Sequence, residues 1–405
     1  MALQWLARGE VGEPGQWGQY HQAVSAAPPA PSPADRLRWG PTSSLALLTC
    51  VLVACSQKPP PDYAPDPGLV AEIAELRMVT RPQQACPGET IEAEYEAVLG
   101  DGRVIPFARK YDKDRPPALH VMFLRLSSPE ADAESDGDWD TDPDPLASAM
   151  EGFRLRAELL ARPSLGISAV VAPEYSCLSH AFRFEGRRGA RGQPGFPGPD
   201  VLVRVDILSS PFYERLLVAS IEVGQAPPFY ALYDADAVPP SDWLVLESRG
   251  GRGGRGVDGA TGAEGAAGTA GCPGGVGGAG GAGGNGGAGG PGGPGGHVTV
   301  MAPSEQPYLA GIVDARSPGG LGGKGGRAGK PGPGGAGGKG TTSGGRRCAD
   351  GDPGPPGQEG KAGAEGSRGS PGPRARVITV SAADVFARPV PPSLQALLDY
   401  ARHRD

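Results

Sequence analysis

The sequence contains few of the residues from which most enzymes and metalloproteins build a site. Its five histidines are scattered among 405 residues, and no pair of cysteines has Cys-x-x-Cys spacing. No Gly-x-Ser-x-Gly elbow is present, and the glycine runs lack a phosphate-loop pattern, since residues 334–339 are not followed by Ser or Thr. The sequence therefore predicts a protein without catalytic residues, metal or cofactor.

Long apolar runs and an excess of positive charge are also missing. The most apolar stretch, residues 45–54, is too short for a membrane-spanning helix. The formal net charge is −7, so the whole chain carries no electrostatic signature of a nucleic-acid-binding protein. Glycine and proline, by contrast, number 68 and 45, a proportion typical of low-complexity or collagen-like chains.

The short apolar stretch has the features of an export signal. Two arginines precede it, and it ends in Leu52-Val53-Ala54-Cys55. This ending resembles the lipobox of bacterial lipoproteins. The resemblance implies that 36–54 is a signal peptide, that Cys55 is acylated, and that the lipid anchors the exported chain in the cell envelope. Ser56 implies the outer membrane by the same resemblance. A short buried helix with a chance cysteine is the alternative.

The segments on either side of the signal differ from it in composition. Residues 1–35 are rich in proline and glycine without apolar periodicity, and we interpret them as a spurious or extended N-terminus. Residues 55–68 contain five prolines and predict a stiff, extended tether between the lipid and the folded protein.

Four cysteines remain beyond the predicted lipidation site, namely Cys86, Cys177, Cys272 and Cys348. An even number in an exported protein predicts disulfides rather than free thiols. Cys86 lies just before one predicted strand and Cys177 just after another in the same β-rich region. We therefore expect these two to pair.

Residues 69–185 have the alternation typical of strands. Apolar residues alternate with charged ones over 91–97 and 153–159, and residues 119–126 are more uniformly apolar, as in a central strand. Residues 100–102, Gly-Asp-Gly, predict a hairpin turn. We predict an antiparallel β-sandwich over 69–185, which resembles immunoglobulin-like domains at the level of pattern.

An acidic run interrupts this region, with Asp or Glu at alternate positions from 132 to 144. Closely spaced carboxylates can bind calcium, but the spacing of the helix-loop-helix calcium loop is absent. We therefore expect a solvated, mobile insertion.

Glycine occupies every third position from Gly250 to Gly295, and shorter triplet runs cover 186–200, 320–340 and 351–374. Two structures require this period. One is the collagen triple helix, in which glycine occupies the crowded axis, and residues 351–361 resemble collagen closely. The other is a bundle of polyglycine II helices folded within one chain, and such bundles occur in glycine-rich antifreeze proteins and some phage adhesins.

Doubled glycines favour the bundle. The run 274–296 reads Gly-Gly-X throughout and 320–340 is mostly doubled, whereas a triple helix needs one glycine per triplet. A helix packed on two sides needs two glycine faces, and an edge helix, predicted for 250–271 and 351–374, needs one. Pro331 and Pro333 must face away from a neighbour because they lack an N–H.

The run lengths predict two hairpins, each with a cysteine near its midpoint. We expect Cys272 and Cys348 to pair and to join the two hairpin tips. Strand-like segments flank the runs and predict a β base for the repeat domain at 186–387. They lie at 201–205, 243–246, 297–300, 309–313 and 377–380, and at 182–184 in the last residues of the range predicted as sandwich. Residues 388–405 predict a short helix or tail.

The predicted fold is thus mainly β, with an antiparallel β-sandwich followed by a β base that carries hairpins of polyglycine II helices. We expect a monomeric, non-enzymatic surface protein, adhesive or matrix-binding, that contacts the membrane through its lipid and does not bind nucleic acid. The alternative is a trimeric collagen-like stalk that presents the sandwich. A column of cations could contact an anionic cell-surface polysaccharide or serve as a solvated face, and it comprises Lys324, Arg327, Lys330 and Lys339.

Overall fold

The computed structural model describes residues 59–237, 243–386 and 389–404. These residues belong to one compact unit. The predicted signal peptide, the lipidation site Cys55 and the segment 1–35 lie outside the described residues, as does part of the predicted tether.

The first part of the unit is a β-sandwich that follows a short helix, α1 (Pro67–Glu72). One sheet has the order β1-β3-β7-β6 with β4 paired to β3, and the other has the order β2-β9-β8-β5. Neighbouring strands are antiparallel except for β2 and β9. The strands are β1 (Ile73–Arg81), β2 (Gln84–Ala85), β3 (Thr90–Leu99), β4 (Val104–Pro106), β5 (Leu124–Ser127), β6 (Ala131–Ala133), β7 (Trp139–Thr141), β8 (Phe153–Leu159) and β9 (Gly166–Pro173).

The two alternating segments form β3 and β8, and their apolar side chains fill the space between the sheets. In β8 the residues at 153, 155, 157 and 159 are fully buried, while the charged residues between them face outward. The predicted turn is also present, since the Gly102 N–H donates to the Leu99 carbonyl and Gly102 has a φ of 86°. Period-two patterning thus identified the central strands correctly.

The acidic run is an ordered hairpin, β6 and β7, rather than a mobile insertion. Trp139 lies at its centre with no exposed surface and donates its indole N–H to the Tyr95 hydroxyl at 2.8 Å. Asp138 forms an ion pair with Arg109 at 2.6 Å and accepts the Ala93 N–H at 3.0 Å. One buried aromatic and one paired carboxylate therefore fix a segment whose charge pattern predicts solvation.

Residues 119–126 are not a central strand. Val121–Phe123 forms a turn of 3-10 helix, and only Leu124–Ser127 continues as β5 at the edge of its sheet. The segment is apolar because Leu119, Val121 and Phe123 pack into the core without forming a strand, whereas Met122 between them is 44% exposed.

The second part of the unit is a base of two packed sheets. A parallel sheet has the order β10-β14-β16, and a five-stranded sheet has the order β13-β12-β11-β15-β19. Strands β17 (Thr342–Ser343) and β18 (Arg346–Arg347) are exposed and pair with each other outside the base. The strands of the base are β10 (Ala181–Glu185), β11 (Val201–Leu208), β12 (Leu216–Val223), β13 (Phe229–Asp234), β14 (Leu244–Arg249), β15 (Val298–Pro303), β16 (Val313–Arg316) and β19 (Arg376–Val380). Their inward side chains form one apolar core that includes Val203, Leu246 and Val300.

Two predicted boundaries change in the base. Strand β10 pairs with β14, so it belongs to the base and not to the predicted sandwich. Residues 307–312 form a 3-10 helix, so the segment predicted as strand-like at 309–313 becomes a strand only from Val313.

The C-terminal segment forms a second helix, α2 (Pro392–Arg402). Leu394 and Leu397 are fully buried in a cluster that also holds Tyr175, Val218 and Leu232. The helix therefore covers the outer side of the five-stranded sheet and ties it to the end of the sandwich.

Candidate functional site

Six glycine-rich segments project from the base, and we call them legs 1 to 6. They span 186–192, 193–200, 250–271, 274–296, 317–340 and 351–373. Legs 1, 3 and 5 follow β10, β14 and β16, and legs 2, 4 and 6 lead into β11, β15 and β19. Each hairpin of legs therefore leaves the parallel sheet and returns to the five-stranded sheet.

The legs continue the order of the strands that carry them. In one layer the N–H of Gly192 in leg 1 donates to the backbone carbonyl of Arg255 in leg 3. The N–H of Gly256 in leg 3 donates to the backbone carbonyl of Lys324 in leg 5, and both distances are 2.9 Å. In the other layer legs 2, 4 and 6 are joined in the same parallel manner. Adjacent strands lie about 4.8 Å apart, so the two sheets of the base set the order of the legs from their first residues.

The two layers bond to each other in antiparallel fashion. The Gly287 N–H donates to the Val257 carbonyl at 2.7 Å, and the Gly326 N–H donates to the Gly287 carbonyl at 2.9 Å. Such bonds recur at every third residue along legs 3 to 6. The backbone groups that face another leg are thereby satisfied without any strand or α-helix.

Glycine is required at the closest approaches between legs. A Cβ added to Gly286 of leg 4 would lie 2.3 Å from the Gly326 carbonyl oxygen, and one added to Gly326 of leg 5 would lie 1.9 Å from the Val257 oxygen. Leg 4 contacts four other legs and leg 5 contacts three, and both carry doubled glycines. Leg 6 contacts two legs and carries one glycine in each triplet.

Leg 3 changes its pattern at the point where its surroundings change. Its first two triplets are doubled, with Gly251 and Gly254 facing legs 1 and 2, where an added Cβ would lie within 2.1 Å of a carbonyl oxygen. From Val257 onward the short hairpin no longer covers this side, and the second glycine is replaced by larger residues, leaving Val257 56% exposed. The prediction that 250–271 is an edge leg over its whole length was therefore wrong for its first two triplets, in which the doubled glycines are visible in the sequence.

The prolines of leg 5 are compatible with this bonding. The N–H groups that leg 5 donates to leg 4 come from the triplet positions between Gly320 and Gly338, and neither Pro331 nor Pro333 occupies one. The carbonyl of Pro333 accepts the Gly265 N–H at 2.9 Å. Proline therefore takes positions whose N–H is not used between legs.

Both predicted disulfides are confirmed. Cys86 and Cys177 join the sandwich to the segment after β9, with their Cα atoms 6.4 Å apart. Cys272 and Cys348 join the tips of the two long hairpins, with their Cα atoms 5.2 Å apart. Beside the second bridge, Asp350 accepts the Gly340 N–H at 2.7 Å, and this bond and the Lys339 ammonium lower the pKa of Asp350.

The predicted cation column divides into two parts. Lys324, Arg327 and Lys330 are exposed along leg 5, and their carbonyls accept N–H groups of leg 3. Lys339 lies at the distal tip and pairs with Asp350 at 3.5 Å. The structure adds arginines from legs 1 and 3 beside the first three cations, and the linear sequence gave no sign of this proximity.

Comparison with known proteins yields no relative from which a function could be inferred. No protein-family profile, no curated protein and no solved structure matches the chain. Within the described ranges, no group of three or more potential metal ligands converges. No helix in the part of the chain that the structure describes is long and apolar enough to cross a membrane.

Proposed function

We propose that this chain is a non-enzymatic, lipid-anchored envelope protein whose legs are polyglycine II helices forming a rigid interaction platform. The observation that carries the proposal is the bonding of every third residue between legs of the same chain. A leg of 22 residues in an extended threefold conformation would be roughly 68 Å long. Such a bundle would hold side chains at fixed positions with little apolar core.

Steric blocking favours a monomeric bundle over a collagen stalk. In leg 3 from Val257 onward and in leg 6, one residue of each triplet points away from all the other legs, and these residues form the outward column of that leg. In leg 3 the outward column consists of Val257, three alanines and Thr269, and in leg 6 it begins with Pro353 and Pro356. A further leg could not approach these columns as closely as the existing legs approach one another, because a Cβ at such a contact would overlap a carbonyl. These edges serve the same purpose as protected edge strands in a sheet.

The native mass tests this architecture. Sedimentation of the chain lacking its first 54 residues should give a monomer, with an intramolecular Cys272–Cys348 peptide under non-reducing conditions. A trimeric mass with interchain Cys272–Cys272 peptides would establish the collagen-like stalk instead.

The lipid anchor rests on the resemblance of residues 52–55 to a lipobox, and it needs its own test. Cys55→Ala should move the protein out of the membrane fraction of the expressing bacterium. Cys50→Ala, which changes a cysteine within the same predicted signal, is the matched control and should leave membrane association unchanged. Equal membrane association of Cys55→Ala and the wild type would refute lipidation at this residue. Separation of inner and outer membranes tests the outer-membrane location implied by Ser56.

A further inference from the structure

We infer that one face of the leg bundle binds a linear acidic polysaccharide whose carboxylate or sulfate groups recur along the chain. This face is built from legs 1, 3 and 5 close to the base. We call it the basic face, and it comprises Arg188, Arg191, Arg252, Arg255, Lys324, Arg327 and Lys330. The inference deepens the proposed function, because an exported location brings the face into contact with envelope polysaccharides.

The bonding between legs fixes which cations are neighbours. The carbonyl of Arg255 accepts from leg 1 at Gly192, and the Gly256 N–H donates to the carbonyl of Lys324. Arg191, Arg255 and Lys324 therefore stand at one level on three adjacent legs. Arg188 and Arg252 stand together one triplet closer to the base, because the Gly189 N–H donates to the backbone carbonyl of Arg252.

The side chain of Asp258 shows that the cations of leg 3 and leg 5 lie on the same face of the bundle. Asp258 accepts the backbone N–H of Arg327 at 2.7 Å and also pairs with the Arg255 guanidinium at 2.7 Å. The Arg327 N–H, followed by the charges of Arg255 and Arg327, lowers the pKa of Asp258, so this carboxyl is ionised at neutral pH. Asp258 is the one carboxylate between the levels of Arg188 and Lys330, and the next carboxylate in the same column of leg 3 is Glu264, one triplet beyond Lys330.

Among the described residues, the remaining cations of the basic face form no ion pair with a carboxylate. Within the described residues, ion pairs involve Arg255 but none of the other six. The Arg252 Nε is buried and has no hydrogen-bond partner there. A chain with a net charge of −7 thus holds an uncompensated positive surface on one side of the bundle.

The opposite face provides an internal comparison. The corresponding columns of legs 4 and 6 carry valine, alanine, proline, serine and amide residues, and their charged members are Asp352 and Lys361, of opposite sign. The same triplet repeat therefore builds one nearly neutral face and one basic face. Solubility alone would not require the charges to be sorted in this way.

The repeat distance and chemistry of the basic face favour a polysaccharide. Successive cations on a leg are three residues apart, about 9.3 Å in an extended threefold chain, which is comparable to the spacing of charges in a polymer with one carboxylate per disaccharide. Guanidinium groups bind carboxylate or sulfate in a bidentate manner. The basic face contains no aromatic residue on which nucleic-acid bases could stack.

The test measures binding of the full chain to a hyaluronate octasaccharide, a linear probe with one carboxylate per disaccharide. Neutralising the leg 5 cations in the triple variant K324Q/R327Q/K330Q should weaken binding about tenfold, since three exposed charge pairs each contribute a few-fold. The matched control K110Q/K113Q/K361Q removes the same charge from exposed positions outside the basic face and should bind within about twofold of the wild type. Affinity should also fall as salt is raised.

Several outcomes would overturn the inference. These are equal losses in the two triple variants, equal binding of neutral dextran, or no binding of hyaluronate by the wild type at low salt. An oligodeoxynucleotide of equal charge that binds as tightly would show a general polyanion surface instead of a polysaccharide site. Circular dichroism and the Cys272–Cys348 peptide monitor the bundle itself, so failure of the basic face is distinguishable from failure of the proposed architecture.

Discussion

Gly286 and Gly287 are adjacent in leg 4 but face different neighbours, and alanine at each should have very different effects. A Cβ at Gly286 would lie 2.3 Å from the Gly326 oxygen and 2.7 Å from the Gly326 carbon. A Cβ at Gly287 would lie 3.2 Å from its nearest neighbour, the Val257 nitrogen. Both residues donate their N–H to another leg, so the two variants differ mainly in steric overlap.

The expected magnitudes follow from that overlap. Gly286→Ala forces leg 4 and leg 5 apart by nearly 1 Å, which weakens the bonds on either side, and we expect a loss of about 3 kcal/mol. Gly287→Ala requires a shift of a few tenths of an ångström. Its cost is partly offset by the lower entropy of the unfolded chain, a gain of about 0.4–1 kcal/mol, so we expect a net change near zero.

The free energy of unfolding of both variants can be measured by denaturant titration with disulfides intact. Gly311→Ala is a further control, because a Cβ there meets no atom within 4 Å and Gly311 lies outside the legs. Hydrogen exchange of the leg amides would show whether the loss is confined to legs 4 and 5. Equal stability of the Gly286 and Gly287 variants would refute the close approach of legs on which the proposed platform depends.

Three further outcomes are expected. Replacing both Cys272 and Cys348 with serine should speed amide exchange at the hairpin tips while leaving the base unchanged, and uniform exchange along the legs would contradict the predicted role of the bridge. Asp138→Ala should cost about 2–3 kcal/mol because it removes the ion pair of Arg109 and the acceptor of the Ala93 N–H, whereas Asp138→Asn should cost less, as thermal unfolding can show. The contact made by Asp350, whose pKa is lowered in the folded protein, is fully present above an unfolded pKa of about 3.9 and is lost as pH falls through the folded value. Protection factors of the tip amides, which correct for the intrinsic pH dependence of exchange, should therefore fall in that acidic window, and protection factors that do not change with pH in Asp350→Asn are the control.

Local patterning in the sandwich predicted the strands whose neighbours are close in sequence or regular in period. β3 and β8 alternate strictly, and their burial follows that alternation. The acidic hairpin was misjudged because its stability comes from contacts across more than 40 residues, including the bond from Trp139 to Tyr95. Charge density along the chain does not reveal such a contact.

The basic face likewise combines a feature that is visible in the sequence with one that depends on long-range contacts. The column on leg 5 is visible in the sequence because its members are three residues apart. Arg255 and Lys324 are separated by almost 70 residues, and only the bond between their legs brings them to one level.

The glycine period, the doubled triplets of the inner legs and the cysteines at the hairpin tips are all visible in the amino-acid sequence. These features are local, because glycine at a fixed spacing is the direct consequence of backbones that approach too closely for a Cβ. The tertiary structure decided which legs are neighbours, why leg 3 changes its pattern at Val257, and which cations share a face. Those features depend on the order of the strands in the two base sheets, and strand order is set by long-range pairing between β10, β14 and β16 and between β11, β15 and β19.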